Sequence, residues 1–347
     1  MTKAASATPC LPELFLNHGD FTMAYSVVVD ENIALFESGH GILGYADTGK
    51  MRLFVGDPMC TQKNIDGLVD AFLEHSAGAR VVGLQCSRET GEAFHRRGYN
   101  ATLMGVETIL DVAGFDLKGK RKTKVRRWVN TARNAGLMVT EGRVEGNQAR
   151  MREISRQWLE CKPSEELKIL LRPMPNHDTP HARVFFAADD EMQGFVVFDP
   201  MFRDGRVMGY YADICRFSKT APNGTFDLII NTALDVFRAE GVEQLSFGLS
   251  PLAEVRPCVT DNAVVRAIAR INFAYGESMY PFQGIDFHKR AYHLEPQSLR
   301  RPVYCITKGC APVMDIIRTF GAVGIIPAGN PLAPLGHVAR GVLRSWK

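Results

Sequence analysis

The chain has 347 residues, 46% of them hydrophobic and 23% charged, with a formal net charge of +3. That length suggests about two domains, and the composition is that of a globular protein with a sizeable core. A charge this small excludes a uniformly basic nucleic-acid binder, so any basic surface has to be local.

The first twenty residues carry one Lys and no long apolar stretch, which excludes a secretory leader, and no uncharged apolar run reaches the roughly 18 residues of a membrane span. Short β-rich runs then follow at residues 25–29 (YSVVV), 33–37 (IALFE), 41–46 (GILGYA) and 51–58 (MRLFVGDP), separated by turn residues. Residues 64–78 have helical periodicity and end on Gly78. A strand (79–86), a short helix (88–98) and a strand (101–112) complete an α/β unit of ordinary domain size.

Residues 117–136, LKGKRKTKVRRWVNTARNAG, form a helical linker. It carries Lys118, Lys120, Arg121, Lys122, Lys124, Arg126, Arg127 and Arg133 without one acid, and Val125 and Trp128 mark its apolar stripe. Such a run is either a solvated helix or a phosphate-binding surface, for RNA or anionic lipid. Beyond it the rhythm repeats, with a helix at 147–161, strands at 181–189, 192–202 and 207–216, a helix at 222–241 and a strand at 242–253. The tail from 310 is apolar but broken by Gly and Pro, and reads either as a packed segment or as a membrane- or partner-binding one.

Eight cysteines are scattered without a C-x-x-C pair, which removes zinc-site spacing and points to reduced thiols in the cytoplasm. Neither H-E-x-x-H nor G-x-S-x-G occurs. RETGEA at 88–93 fits the R-x-x-G-x-A of acyl-CoA-binding acetyltransferases, in which a helix start holds the pyrophosphate, but it also reads as an ordinary helix start. GDPMC at 56–60 is a turn after a strand.

The segment YYADICRFSKTAPNGTFDLII, residues 210–230, holds the most chemistry. Asp213 and Arg216 end a strand, and Pro222 and Gly224 turn the chain into a helix that Asn223 or Thr225 can cap. A helix start beside an Asp–Arg pair suits a substrate with an ammonium and a carbonyl: the acid holds the ammonium, and the Arg or the helix N–H groups hold a developing oxyanion. A salt bridge plus a cap explains the same residues without any substrate.

Taken in order, D-x-x-R, P-N-G-T-x-D and the S-x-G-L-x-P-L-A of residues 246–253 resemble the C-terminal catalytic domain of the phosphatidylglycerol lysyltransferases, the aminoacyl-phosphatidylglycerol synthases. FVGDPMC, the basic segment and QWLECK match in the same order, so the resemblance covers about residues 19–304. It implies an α/β (α+β) tandem GNAT-like fold, with two mixed, mainly antiparallel sheets flanked by helices and joined by the basic helix. The expected segments are 1–116, 117–136, 137–309 and a tail from 310 to 347. It also implies transfer of an aminoacyl group from charged tRNA to a hydroxyl of a phosphatidylglycerol-type lipid or a small metabolite, with no metal or diffusible cofactor. The location is then cytoplasmic, with peripheral contact at the inner membrane face left open.

Carried over position by position, the resemblance gives Asp213, Arg216, Asn223 and Thr225 catalytic roles. It gives Gly224, Asp227, Lys162, Glu166, Arg172 and Lys289 substrate-binding ones, and it assigns tRNA phosphates to Lys118, Lys120, Arg121, Lys122, Lys124, Arg126 and Arg127. The sequence departs from the family where LKILLRP replaces G-F-x-x-G-R around Arg172, where KRAYHLEP follows Lys289 in place of K-F-x-P-x-W, and at Glu254. The family's membrane-embedded flippase domain is not found in these residues. Two other classes remain open: an acyl-CoA-dependent N-acyltransferase, resting on RETGEA, and a non-catalytic module for anionic lipid or RNA, resting on the basic helix.

Overall fold

A computed structural model describes residues 11–49, 51–161, 167–277, 280–292, 298–309 and 312–324. The first half runs α1 (Glu13–His18), α2 (Ala24–Val29), β1 (Ala34–Ser38), β2 (Gly41–Asp47), β3 (Met51–Val55), α3 (Ile65–His75), β4 (Arg80–Cys86), α4 (Arg88–His95) and β5 (Tyr99–Asp111). The second half runs α5 (Thr123–Asn134), β6 (Met138–Gly142), α6 (Gln148–Glu160), β7 (Arg183–Ala188), β8 (Met192–Arg203), β9 (Arg206–Phe217), α7 (Thr225–Ala239), β10 (Gln244–Pro251), α8 (Ala263–Tyr275), α9 (Phe282–Tyr292), β11 (Leu299–Lys308) and α10 (Pro312–Ala322).

Three antiparallel strands, a helix, a parallel strand and helical cover leading to a last strand thus occur twice, the tandem GNAT-like order that was expected. The two expected sheets are halves of one. The described strands form a single eleven-stranded sheet in the order β1-β2-β3-β4-β11-β5-β10-β9-β8-β7-β6. The join is an exchange: β5 of the first half lies between β10 and β11 of the second. Its residues are buried almost without alternation, as a strand covered on both faces requires.

Residues 25–29 are not a strand but belong to α2. Their β-branched side chains favour a strand locally, yet Ala24, Tyr25, Ser26 and Val27 are all buried against the sheet, and this packing overrides propensity. The basic segment is helical as expected: Val125, Val129 and Ala132 recur on one face of α5 and pack with Leu228, Ile229 and Ala233 of α7. Phe185, Phe198, Tyr210 and Phe237 fill the same core with ring centroids 4.5 to 5.9 Å apart. Each such ring contributes about 1.5–3 kcal/mol by burial, which fixes α7, and therefore its first turn, against β8 and β9.

β9 and β10 run parallel, but they pair only over Gln244–Ser246 with Gly209–Tyr211. On its other side β10 pairs with β5 over Gln244–Ser246 and, past a register shift, over Leu249–Pro251 with Glu107–Gly105, so beyond Ser246 it follows β5 alone. The C-terminal ends of β9 and β10 therefore part, and the gap between the two strand ends is the candidate cleft.

Candidate active site

Asp213 lies beside that gap on a β-bulge, with its side chain fully buried. Ile214 pairs with Val197 and Ala212 with Phe198, so Asp213 is an extra residue without a partner on β8. The bulge reverses the side-chain alternation: Ala212 lies in the core under α7, whereas Ile214 packs with Met151 and Ile154 of α6. In a regular strand a spacing of three sends two side chains to opposite faces. Here Asp213 and Arg216 both point to the face covered by α6.

On that face Arg172 is the central cation, 3% exposed. Its Nε and Nη2 donate to the Asp199 carboxylate at 2.6 to 3.1 Å, and its Nε lies 3.8 Å from Asp213 Oδ2. The guanidinium stands over the Tyr25 ring at 5.6 Å, and Ser26 Oγ donates to Asp199 at 3.4 Å. Two carboxylates thus share one guanidinium, and Asp199 takes its hydrogen bonds. Both carboxylate oxygens of Asp213 are buried and accept none among the described residues. Burial first, then the Asp199 charge, holds Asp213 well above the usual carboxylate range, while Arg172 and Arg216 act in the other direction. Such a group is completed by a proton or by a cation with N–H donors.

Arg216 is 2% exposed, lies over the Trp158 ring at 4.1 Å, and its Nε faces Ser155 Oγ at 3.4 Å. The other face of the cleft is lined from α9. Lys289 Nζ donates to the Leu249 carbonyl at 2.7 Å, at the point where β10 bends away. Burial pulls this amine down to about 8. Burial also pushes the Cys215 thiol, next along β9 from Ile214, up to about 12.

The first turn of α7 differs from expectation in its capping. Gly224 precedes the helix at φ 89°, and no side chain caps it; Asn223 is exposed, and Thr225 Oγ1 donates back to the Pro222 carbonyl at 2.6 Å. A Cβ on Gly224 would lie 2.0 Å from the Trp128 carbonyl oxygen. Glycine is therefore required by the contact between α7 and α5, rather than by a ligand. Asp227 is buried and accepts from Tyr292 Oη at 2.5 Å and His288 Nε2 at 3.0 Å, which braces α7 to α9.

Of the seven cations assigned to tRNA phosphates, Lys118, Lys120, Arg121, Lys124 and Arg127 are exposed. Two are not available as phosphate contacts. Lys122 is 1% exposed, with its ammonium over the Phe115 ring at 4.1 Å, and Arg126 donates to the Leu117 and Gly119 carbonyls. Lys162 and Glu166 lie outside the described residues.

At RETGEA the start of α4 is already occupied. Ser87 Oγ accepts from the Thr90 N–H at 3.3 Å, and the Asp57 carboxylate accepts from the Ser87 N–H at 2.8 Å and Thr90 Oγ1 at 2.6 Å. A pyrophosphate would have to displace an acid that caps this turn. An open concavity of about 450 Å³ lies at the other end of the sheet, where β10 begins, lined by Asp111, Arg238 and Glu243. Arg238 is held there by the Val112 and Phe115 carbonyls, and the concavity lies at the opposite end of β10 from the register shift.

Asp199 and Tyr25 escaped the sequence reading. One signal was present: Asp199 is an acid inside the apolar run FVVFDPMF, and a lone acid there has to find a buried partner.

The sequence profile of a family described as phosphatidylglycerol lysyltransferase, C-terminal, matches residues 13–306. The chain belongs to this family. It is 25% identical over 272 residues to the phosphatidylglycerol lysyltransferase of Bacillus subtilis, covering 77% of this chain and 31% of that protein. It is 25% identical over 239 residues to the lysylphosphatidylglycerol biosynthesis bifunctional protein LysX of Mycobacterium leprae, covering 64% and 20%. The chain therefore spans about a third or less of these relatives. In fold it is similar to the L-PGS structure from Bacillus licheniformis, with a TM-score of 0.70 and 22% identity over 88% of this chain and 93% of that one. It is equally similar to the C-terminal domain of a putative lysylphosphatidylglycerol synthetase from Agrobacterium fabrum, with a TM-score of 0.70 and 21% identity over 90% and 96%. Among the described residues no helix is long and apolar enough to cross a membrane, and no group of three or more His, Cys, Asp or Glu is placed to hold a metal ion.

Proposed function

We propose that this chain transfers an aminoacyl group from a charged tRNA to a hydroxyl of an acceptor, with a phosphatidylglycerol-type lipid as the favoured acceptor and a small polyol metabolite as the alternative. Family membership supports the class of reaction, since relatives are named lysyltransferases. The observation that carries the assignment to a site is the Asp213 carboxylate, buried without a hydrogen-bond partner among the described residues beside a guanidinium that is already engaged.

The ammonium of the aminoacyl group docks on Asp213 and supplies the missing donors. The tRNA ester is already an activated acyl donor, so the protein has chiefly to align it with the acceptor oxygen. The acceptor oxygen attacks the ester carbonyl, and its proton passes to neutral Lys289. The tetrahedral oxyanion is held by Arg216 and the uncapped first turn of α7. Collapse breaks the bond to the ribose oxygen, which takes the proton back from Lys289. The products are the aminoacyl ester of the acceptor and tRNA with a free terminal hydroxyl. The exposed Lys118, Lys120, Arg121 and Arg127 hold tRNA phosphates, and no metal or diffusible cofactor enters any step.

The test uses tRNAs charged with single labelled amino acids, incubated with the protein and vesicles containing phosphatidylglycerol. Label should appear in lipid for one amino acid, and Asp213→Asn should abolish it. If no charged tRNA donates to lipid or to a metabolite extract, while a control transferase is active in the same mixture, the reading fails.

A further inference from the structure

α8 has two apolar stripes where a surface helix ordinarily has one. Val265 and Ala269 face inward and are buried. On the other side Val264, Ala267, Ile271 and Ala274, spaced three and four apart, are all exposed, Val264 at 52% and Ile271 at 45%. Val259, in the loop before the helix, is 98% exposed. The helix carries Arg266 and Arg270 and no acid, and Arg270 makes no ion pair among the described residues.

The stripe does not end with the helix. Gln283 at the start of α9 donates to the Ala274 carbonyl at 3.2 Å. One turn further along α9, Phe287 is 55% exposed, and Lys124 of the basic helix lies over its ring at 4.3 Å. A band of exposed apolar side chains thus runs along α8 and α9 and meets the exposed cations of the linker.

We propose that this band is a docking face for a bilayer surface containing anionic lipid. Val264, Ile271 and Phe287 enter the interface between headgroups and acyl chains, and Arg270 and Lys124 contact the phosphates, the pattern of an interfacial helix. Arg266 is paired with Asp261, but a two-fold contact through this band would still bring Arg270 and the linker cations against their own copies, so charge argues against a second copy as the occupant. The geometry also links the face to the cleft. α9 presents Phe287 to the outside and, two residues on, Lys289 to the Leu249 carbonyl, so docking sets the cleft at the membrane. The inference rests on the proposed lipid acceptor for its purpose, but its binding test does not depend on that reading.

The experiment compares the full chain with Val264→Asp/Ile271→Asp in co-sedimentation with vesicles of equal phosphatidylglycerol and phosphatidylcholine. Both substituted positions are solvent-exposed, and circular dichroism checks that the variant is folded; Val264→Ser/Ile271→Ser gives a charge-neutral control. The wild type should bind, and the Asp variant should bind about ten-fold more weakly, with the Ser variant in between. Equal binding by all three overturns the proposal. So does a wild-type dimer in sedimentation velocity that the Asp variant dissociates while vesicle binding is unchanged. Transfer assays separate the two ideas. The Asp variant should lose activity on vesicles and keep it on a short-chain, water-soluble phosphatidylglycerol. Wild-type vesicle binding without transfer to either form would sink the lipid-acceptor reading and leave the docking face standing.

Discussion

Arg172 Nε and Asp213 Oδ2 face each other at 3.8 Å inside the protein, and the same guanidinium holds Asp199 by direct hydrogen bonds. The cation is shared unequally, and this makes the two partners respond differently to removal. Arg172→Ala leaves two buried acids without their cation and should cost about 3–5 kcal/mol in urea unfolding. Asp213→Asn replaces a buried carboxyl group that has no hydrogen bond among the described residues, so it should leave stability within about 1 kcal/mol of wild type or raise it. Its transfer rate should nevertheless fall by about 100-fold or more. A parallel loss of stability and activity in Asp213→Asn would make this acid structural.

The same acid sets a pH dependence. Its pKa is raised on folding, so between the ordinary carboxylate range and its folded value the folded state binds more protons than the unfolded one. Stability therefore falls as pH rises through that window. In Asp213→Asn this contribution is absent. Unfolding free energies at about pH 5 and about pH 8 should differ less in the variant than in the wild type. An identical slope in both proteins would mean that the site is wetter than the structure shows.

Lys289 gives the activity its own profile. The amine accepts a proton only when neutral, so transfer should rise with pH to a plateau above about 8. Lys289→Gln should lose this rising limb and most of kcat, with a smaller effect on KM. Because the lysine pKa is depressed on folding, the variant should also be more stable than wild type near neutral pH, where the wild type has to bury a charge. A retained limb near 8 in Lys289→Gln would assign the proton transfer to another group.

What could be read from the sequence follows the range of the interactions. The Asp213–Arg216 spacing, the turn at Gly224 and the cationic linker are local patterns, and the structure shows a buried acid and guanidinium, a helix start and a largely exposed basic helix at those places. The bulge that puts Asp213 and Arg216 on one face is set by the register against β8, which no local pattern of β9 contains. The join of the two halves depends on β5 entering between β10 and β11, a pairing between residues nearly two hundred positions apart. The Val run of α2 favours a strand locally, whereas Tyr25 and Ser26 are held as a helix under Arg172 and Asp199. Lys122 and Arg126 resembled their exposed neighbours because a charge run does not show which member turns inward onto Phe115 or a carbonyl.

Gly224 tests whether the position of α7 matters for the cleft. Gly205 serves as the comparison, since its φ of 74° is similar and a Cβ there would meet nothing within 4 Å. Gly205→Ala should cost only the backbone penalty of about 1–2 kcal/mol. Gly224→Ala adds the collision with the Trp128 carbonyl and should cost about 2 kcal/mol more in thermal unfolding. Transfer should fall with it, because α7 must slide on α5. Equal costs at both glycines would show that the two helices separate easily.

The cationic linker separates into hands and anchors. Charge reversal at the exposed Lys120, Arg121 and Arg127 should weaken tRNA binding and reduce the dependence of log K on log salt by about 0.7–0.9 per lost phosphate contact. Filter binding across a salt series reads both quantities. Lys122→Ala should behave oppositely. Its ammonium lies over the Phe115 ring inside the protein, so the loss should appear as lower thermal stability with the salt slope unchanged. If the exposed variants bind tRNA with the wild-type slope, these cations serve the membrane face instead. The same proteins should then lose affinity for phosphatidylglycerol vesicles, which the co-sedimentation assay measures directly.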